Sequence, residues 1–227
     1  KMYREYRRIL SFIQPKMFVF ENVYGLLTMK NEQNGPIIRN VKESFKDLSS
    51  FGDVHGYKVY TKLLNAKDYG VPQNRERIYI VGFDKDKIDN YKDFSFPIPP
   101  CPDVSVGNIL EQNVDTKYTI SNALWQGHQR RKKEHKIKGN GFGYTLFNEN
   151  SPYTNTLSAR YYKDGSEILI EQKGKNPRKL TPREAARLQG FPENYIIPVS
   201  DTQSYKQFGN SVAVTVIHAI ANNIIDI

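Results

Sequence analysis

An α/β fold is predicted, an open sheet with helices against it and a smaller, loop-rich, mainly β region set into the chain. Three observations predict it. The first hundred residues alternate between helical and strand periodicity. Four prolines crowd into Pro97-Ile98-Pro99-Pro100-Cys101-Pro102 and end that alternation. Turn-rich sequence then runs to about Arg178, after which apolar helical periodicity returns.

The elements follow in order. Met2, Tyr6, Ile9, Leu10 and Ile13 recur near a 3.6-residue spacing with basic residues between them, which predicts a helix that Pro15 stops. Met17-Phe18-Val19-Phe20 is a short continuous apolar run of the kind a buried parallel strand shows. Residues 37–48 repeat the amphipathic pattern, and residues 57–64 and 77–83, rich in Val, Ile and Tyr, read as strands. Past the prolines, short strands are expected near Thr145, Thr156 and residues 167–171, around the basic run Arg130-Arg131-Lys132-Lys133 and the flexible Gly139-Asn140-Gly141-Phe142-Gly143. Helices are expected at residues 181–189 and 212–225.

Composition bounds the partners. The 227 residues carry 33 Lys plus Arg against 24 Asp plus Glu, a formal charge of +9, which suits a polyanion. No apolar stretch approaches the roughly 20 residues of a spanning helix, so no membrane partner is expected. The opening Lys1-Met2-Tyr3-Arg4-Glu5-Tyr6 has no apolar core of a secretory signal. One cysteine, Cys101, excludes an internal disulfide and a multi-cysteine zinc site, and no metal is expected. A reducing cytoplasm is the expected compartment.

Four motifs carry chemistry. Phe20-Glu21-Asn22-Val23 sits where a buried strand ends, the position at which open α/β sheets bind ligands; taken alone it is more often a surface Glu in a strand-to-loop turn. In Gln73-Asn74-Arg75-Glu76-Arg77, period-two alternation puts Arg75 and Arg77 on one strand face, two rigid donor forks suited to an anionic or carbonyl-rich ligand or to solvent. Arg178-Lys179-Leu180-Thr181-Pro182-Arg183-Glu184 opens a helix with Thr181 as N-cap, Pro182 at the first position and Glu184 completing a capping box. Its Arg178, Lys179, Arg183 and Arg187 could face phosphates. Gln207-Phe208-Gly209-Asn210-Ser211-Val212 precedes the last apolar helix, which Asn210 or Ser211 can cap.

In this order and spacing, the four motifs resemble the bacterial DNA (cytosine-5) methyltransferases of restriction–modification systems, and the resemblance covers nearly the whole chain. It implies an incomplete Rossmann-like methyltransferase domain, residues 1–96 plus 205–227, and a target-recognition domain, residues 97–204. In this family a cysteine adds to C6 of a flipped-out cytosine and C5 then takes a methyl group from S-adenosyl-L-methionine. The resemblance implies that Glu21 contacts the base at N3 and N4, that Asn22 holds the local loop, and that Arg77 reaches O2 with Arg75 in support. It implies that Asn210 and Ser211 lie along the cofactor. Double-stranded DNA is the implied partner, read by the loop at residues 139–144 and by residues 156–163, with Arg160, Tyr161 and Lys163 the candidate contacts and Arg178, Lys179 and Arg183 on phosphates. The run at residues 130–138 either meets phosphates or is a solvated face.

The family's glycine-rich cofactor turn and its Pro-Cys nucleophile motif precede the Glu-Asn-Val segment, and neither occurs before Glu21 here. Cys101 follows the Arg77 strand, inside the proline linker, and reads as a linker residue rather than a nucleophile. The expectation is therefore the C-terminal part of such an enzyme, whether truncated, split with its N-terminal half on a separate chain, or degraded, and inactive alone. The alternative is a catalytically silent DNA-binding or specificity subunit. RNA has little support, because the Cys-Phe-Thr signature of the transfer-RNA subfamily is missing.

Overall fold

A computed structural model describes residues 2–31, 34–52, 54–141 and 143–227. The chain divides into two compact units: Lys1–Leu64, Glu76–Ile98 and Ala219–Ile227 form the first, Asn65–Arg75 and Pro99–His218 the second.

In the first unit, α1 (Met2–Ile13) leads into β1 (Met17–Val23), followed by a single turn α2 (Gly25–Thr28), then α3 (Ile37–Lys46), β2 (Tyr57–Asn65, its last residue counted with the second unit) and β3 (Glu76–Asp84). The sheet order is β1-β3-β2, so the last strand inserts between the other two. It runs antiparallel to β1, with Met17 opposite Phe83, Glu21 opposite Tyr79 and Val23 opposite Arg77. The apolar run at Met17 is thus a strand as expected, but an antiparallel one with Phe18 and Phe20 buried and Met17 and Val19 only partly so; a continuous apolar run does not encode the direction of its neighbour.

Gly82 lies opposite Phe18, and a Cβ there would come within 2.1 Å of the Phe18 ring, so only glycine lets that ring lie across β3. The ring is one wall of an aromatic core. Tyr6 from α1 packs edge-on against Phe18, Phe20 and Phe45, at 5.8, 5.2 and 5.9 Å, and its hydroxyl donates to the Val19 carbonyl at 3.0 Å. Leu10, Val41, Leu48, Tyr57 and Ile80 complete the core.

The second unit departs further from the sequence reading. A sixteen-residue helix, α4 (Asn122–Ile137), occupies what reads as loop, and carries the basic run Arg130-Arg131-Lys132-Lys133 on its exposed surface. Its only buried residue is His128 among the described ones, so there is no apolar stripe for periodicity to reveal. The strands shrink to β4 (Leu146–Phe147) and β5 (Leu169–Ile170), paired in parallel. No strand forms at Thr156 among the described residues; Thr154 makes one isolated bridge, to Gln73. Phe142, within the glycine-rich loop expected to touch DNA, lies outside the described residues.

The helix α5 (Pro182–Leu188) carries the expected reciprocal cap, Glu184 N to Thr181 Oγ1 at 3.1 Å and Thr181 N to Glu184 Oε2 at 2.8 Å. A further helix, α6 (Asp201–Asn210), precedes α7 (Val214–Ile225). Asn210 and Ser211 therefore close α6 rather than cap the last helix, with Ser211 N bonded back to the Phe208 carbonyl. Asp201–Ile225 is long and apolar enough by composition to cross a membrane. It is broken between α6 and α7, and its Tyr205, Phe208, Val216 and Ile220 are buried, so it is core.

Candidate active site and recognition turn

Glu21 lies two residues before the end of β1, and Arg77, the second residue of β3, stands opposite Val23, two pairs further along the same ladder. Their side chains meet, Arg77 Nε to Glu21 Oε1 at 3.2 Å, and are only 14% and 22% exposed. A half-buried ion pair at a strand end fixes a carboxylate more firmly than a solvated one, because the pair is poorly screened. Arg77 Nη1 also donates to the Glu76 carbonyl at 2.8 Å, which holds the guanidinium from a second side. The Asn22 Oδ1 accepts from Val23 N at 2.9 Å and stiffens the strand exit.

Arg75 is not the companion of Arg77 that alternation suggests. The strand begins at Glu76, so period two does not extend to Arg75, which lies in the second unit. Its guanidinium is 3% exposed and donates to three carbonyls, those of Ser211 at 2.6 Å, Leu157 at 3.2 Å and Gly209 at 3.4 Å. Three converging carbonyls neutralise a buried cation that has left water.

Around this residue the second unit builds a tight turn over residues 158–161. The Ser158 hydroxyl donates to Glu167 Oε1 at 2.6 Å and accepts from Arg160 N at 3.1 Å, and Tyr161 N returns to the Ser158 carbonyl. Leu157 and Tyr161 point inward and are fully buried, while Arg160 and Lys163 are exposed. Tyr161 is thus an anchor and not the groove contact expected of it. Its hydroxyl donates to the Ile168 carbonyl at 2.8 Å and accepts from Leu180 N at 2.7 Å, and burial pushes its pKa well above the usual tyrosine value.

Of the expected phosphate contacts, Arg178 is likewise internal. It forms a bidentate pair with Glu184, Nη1 to Oε2 at 2.7 Å and Nη2 to Oε1 at 2.8 Å, with side chains 6% and 0% exposed. Arg183 is spent on the carbonyls of Pro192 and Tyr195, and Arg187 on Glu193 at 2.7 Å. The Lys179 ammonium stacks 5.6 Å from the Tyr205 ring centroid. The capping motif is therefore a structural corner in which Arg178 in particular is turned inward.

At the positions expected to face a cofactor, Asn210 is exposed, while the Ser211 hydroxyl donates to the Phe208 carbonyl at 2.8 Å and can offer a ligand only lone pairs. Gln73, quoted in its motif but given no role, is fully buried and bridges two chain segments: Nε2 donates to the Leu188 carbonyl at 2.8 Å and Oε1 accepts from Leu157 N at 2.9 Å. A glutamine between a proline and an asparagine gives no sequence signal for that role. No group of three or more metal-ligating side chains occurs among the described residues.

The chain is 60% identical to the Type II methyltransferase M1.ScrFI of Lactococcus lactis subsp. cremoris, over 100% of this chain and 56% of that protein. It is 61% identical to the Type II methyltransferase M.SsoII of Shigella sonnei, over 96% and 55%. It thus spans little more than half the length of these relatives. Among solved structures, the Entamoeba histolytica methyltransferase EhMeth superposes with a TM-score of 0.72 at 20% identity, over 99% of this chain and 68% of that one, which shows a shared Rossmann-like α/β fold. The family model for C-5 cytosine-specific DNA methylase matches residues 1–226, and the chain belongs to that family.

Proposed function

We propose that this chain supplies the base-binding acid and the target-reading region of a cytosine-5 DNA methyltransferase acting in restriction–modification, with the nucleophilic cysteine contributed by sequence that it does not contain. The observation that carries this reading is the Glu21–Arg77 pair, a half-buried carboxylate clamped at a strand end in a chain of this family. A flipped cytosine whose C6 has been attacked gathers electron density at C5, and a preoriented acid at N3 and N4 stabilises the ring in that state. Arg77 orients the acid and offers donors toward O2. Extruding the base costs a few kcal/mol, which contacts in the pocket and to phosphates offset.

S-adenosyl-L-methionine supplies the methyl group when bound. Asn210 with its exposed amide and the Ser211 lone pairs fit one polar edge of such a site.

The test is tritiated methyl transfer to duplex DNA, with this chain alone and with the Pro-Cys-containing N-terminal portion of the Lactococcus relative added in trans. The chain alone is expected to transfer nothing and the mixture to be active. Glu21→Gln should lower the mixture's turnover by about 100-fold or more, as loss of a positioned acid does. Transfer by the chain alone, or full activity in Glu21→Gln, would overturn the reading.

A further inference from the structure

The segment Gln73-Asn74-Arg75 grips the approach to the turn at residues 158–161 along its whole length. Thr154 N donates to the Pro72 carbonyl at 2.8 Å and Asn74 N to the Thr154 carbonyl at 2.9 Å. The Thr156 hydroxyl donates to the Asn74 carbonyl at 2.7 Å. Leu157 is held on both sides of its peptide, its N–H by Gln73 and its carbonyl by Arg75. The opposite flank is closed by α6: a Cβ on Gly209 would lie 2.4 Å from Ala159 N and from the Ser158 carbonyl, so glycine alone admits this approach. Arg75 bonds both flanks at once, through Leu157 on one and Gly209 and Ser211 on the other.

Arg160 and Lys163 project from the turn that begins one residue beyond Leu157. Reading a base edge demands placement of a donor fork to within a fraction of an ångström, whereas a phosphate contact tolerates slack. A segment fixed by five bonds from buried or backbone groups is built for the first task.

We propose that Gln73, Asn74 and Arg75 are positioning residues for sequence discrimination, holding residues 154–157 so that the adjoining turn presents Arg160 and Lys163 to base edges. This rests on the reading of the chain as a DNA-recognising part of a methyltransferase, and it takes Arg75 away from the cytosine.

The experiment uses the full chain and the duplex it enriches from a randomised DNA library, measured against a scrambled duplex of equal length. Thr156→Val removes one grip without changing side-chain shape, Thr156→Ser restores the hydroxyl, and Gln73→Met removes two bonds from a buried site. Thr156→Val and Gln73→Met are expected to cut the preference for the selected duplex about tenfold or more, the scale of one lost base contact, with affinity for the scrambled duplex unchanged. Thr156→Ser should keep the wild-type preference. A lower melting temperature in Thr156→Val with the wild-type preference intact would make the grip merely structural and overturn the proposal. A wild-type chain that enriches no duplex at all would instead overturn the DNA-recognition reading on which it stands.

Discussion

Arg178 and Glu184 show how far a residue's partners can differ from what its type suggests. The pair is buried and bidentate, and the same carboxylate also accepts from Thr181 N and from Glu111 N at 2.9 Å. One carboxylate thus closes a helix cap, a loop and a buried cation. Removing either charge leaves the other stranded, which costs about 3–5 kcal/mol for a buried pair. Arg178→Met and Glu184→Gln should each show that loss in urea unfolding, with the urea dependence (m value) unchanged. A phosphate contact would behave oppositely, leaving stability intact and weakening DNA binding. Burial of this kind is a tertiary property, and neither Arg178 nor Tyr161 carries it in the local sequence. The Glu21–Arg77 pair is intermediate: the two motifs single out both residues, each toward a base, but their pairing with one another at 3.2 Å is again a tertiary property.

Helix α4 is attached by one buried side chain. Arg131 Nη2 lies 2.8 Å from His128 Nδ1, and since arginine only donates, that nitrogen must accept. Nε2 then carries the hydrogen and donates to the Asp164 carbonyl at 3.3 Å. The groups facing this imidazole are Arg131 on its own helix, Asp164 just beyond the turn at residues 158–161, and the Tyr144 ring, which also carries Lys132 at 4.2 Å. Burial first, then the Arg131 charge, pulls the His128 pKa below 6.5, against the opposing pull of Asp164. The folded state therefore binds fewer protons than the unfolded state just below pH 6.5, and stability falls as pH drops through that window, by up to about 1.4 kcal/mol per pH unit. Burial pushes the Asp164 carboxyl up, but the Ser166 bonds and the neighbouring positive charge outweigh it and leave it depressed, a contribution lost only in the acid carboxylate range. Melting curves between pH 7.5 and 5.5 should show the slope, and His128→Gln should flatten it; an equal slope in the variant would mean that other groups titrate. The elements marked by apolar periodicity, α1, α3 and α7, or by a dense apolar run, β1 and β3, are legible in the sequence, as is the α5 cap. Helix α4 is not, because it buries a single histidine and presents no apolar stripe.

The formal charge of +9 is spread over both units, and some of its cations are engaged by protein groups. Arg75, Arg178, Arg183 and Arg187 are held by protein groups. Arg130, Lys133, Lys136 and Lys138 on and just after α4, together with Arg160 and Lys163, stand exposed. Cations that meet phosphates release condensed counterions, so each contributes about 0.9 to the slope of log affinity against log salt. If α4 lies along the DNA backbone, the triple variant Arg130→Gln, Lys133→Gln, Lys136→Gln should flatten that slope by about 2 to 3 and weaken selected and scrambled duplexes alike. Arg160→Gln should do the reverse, lowering preference for the selected duplex while changing the slope by less than about 1. Titrations between 50 and 200 mM salt separate the two. A slope unmoved by the triple variant would make α4 a solvated face and leave Arg160 and Lys163 as the cations through which the second unit meets DNA.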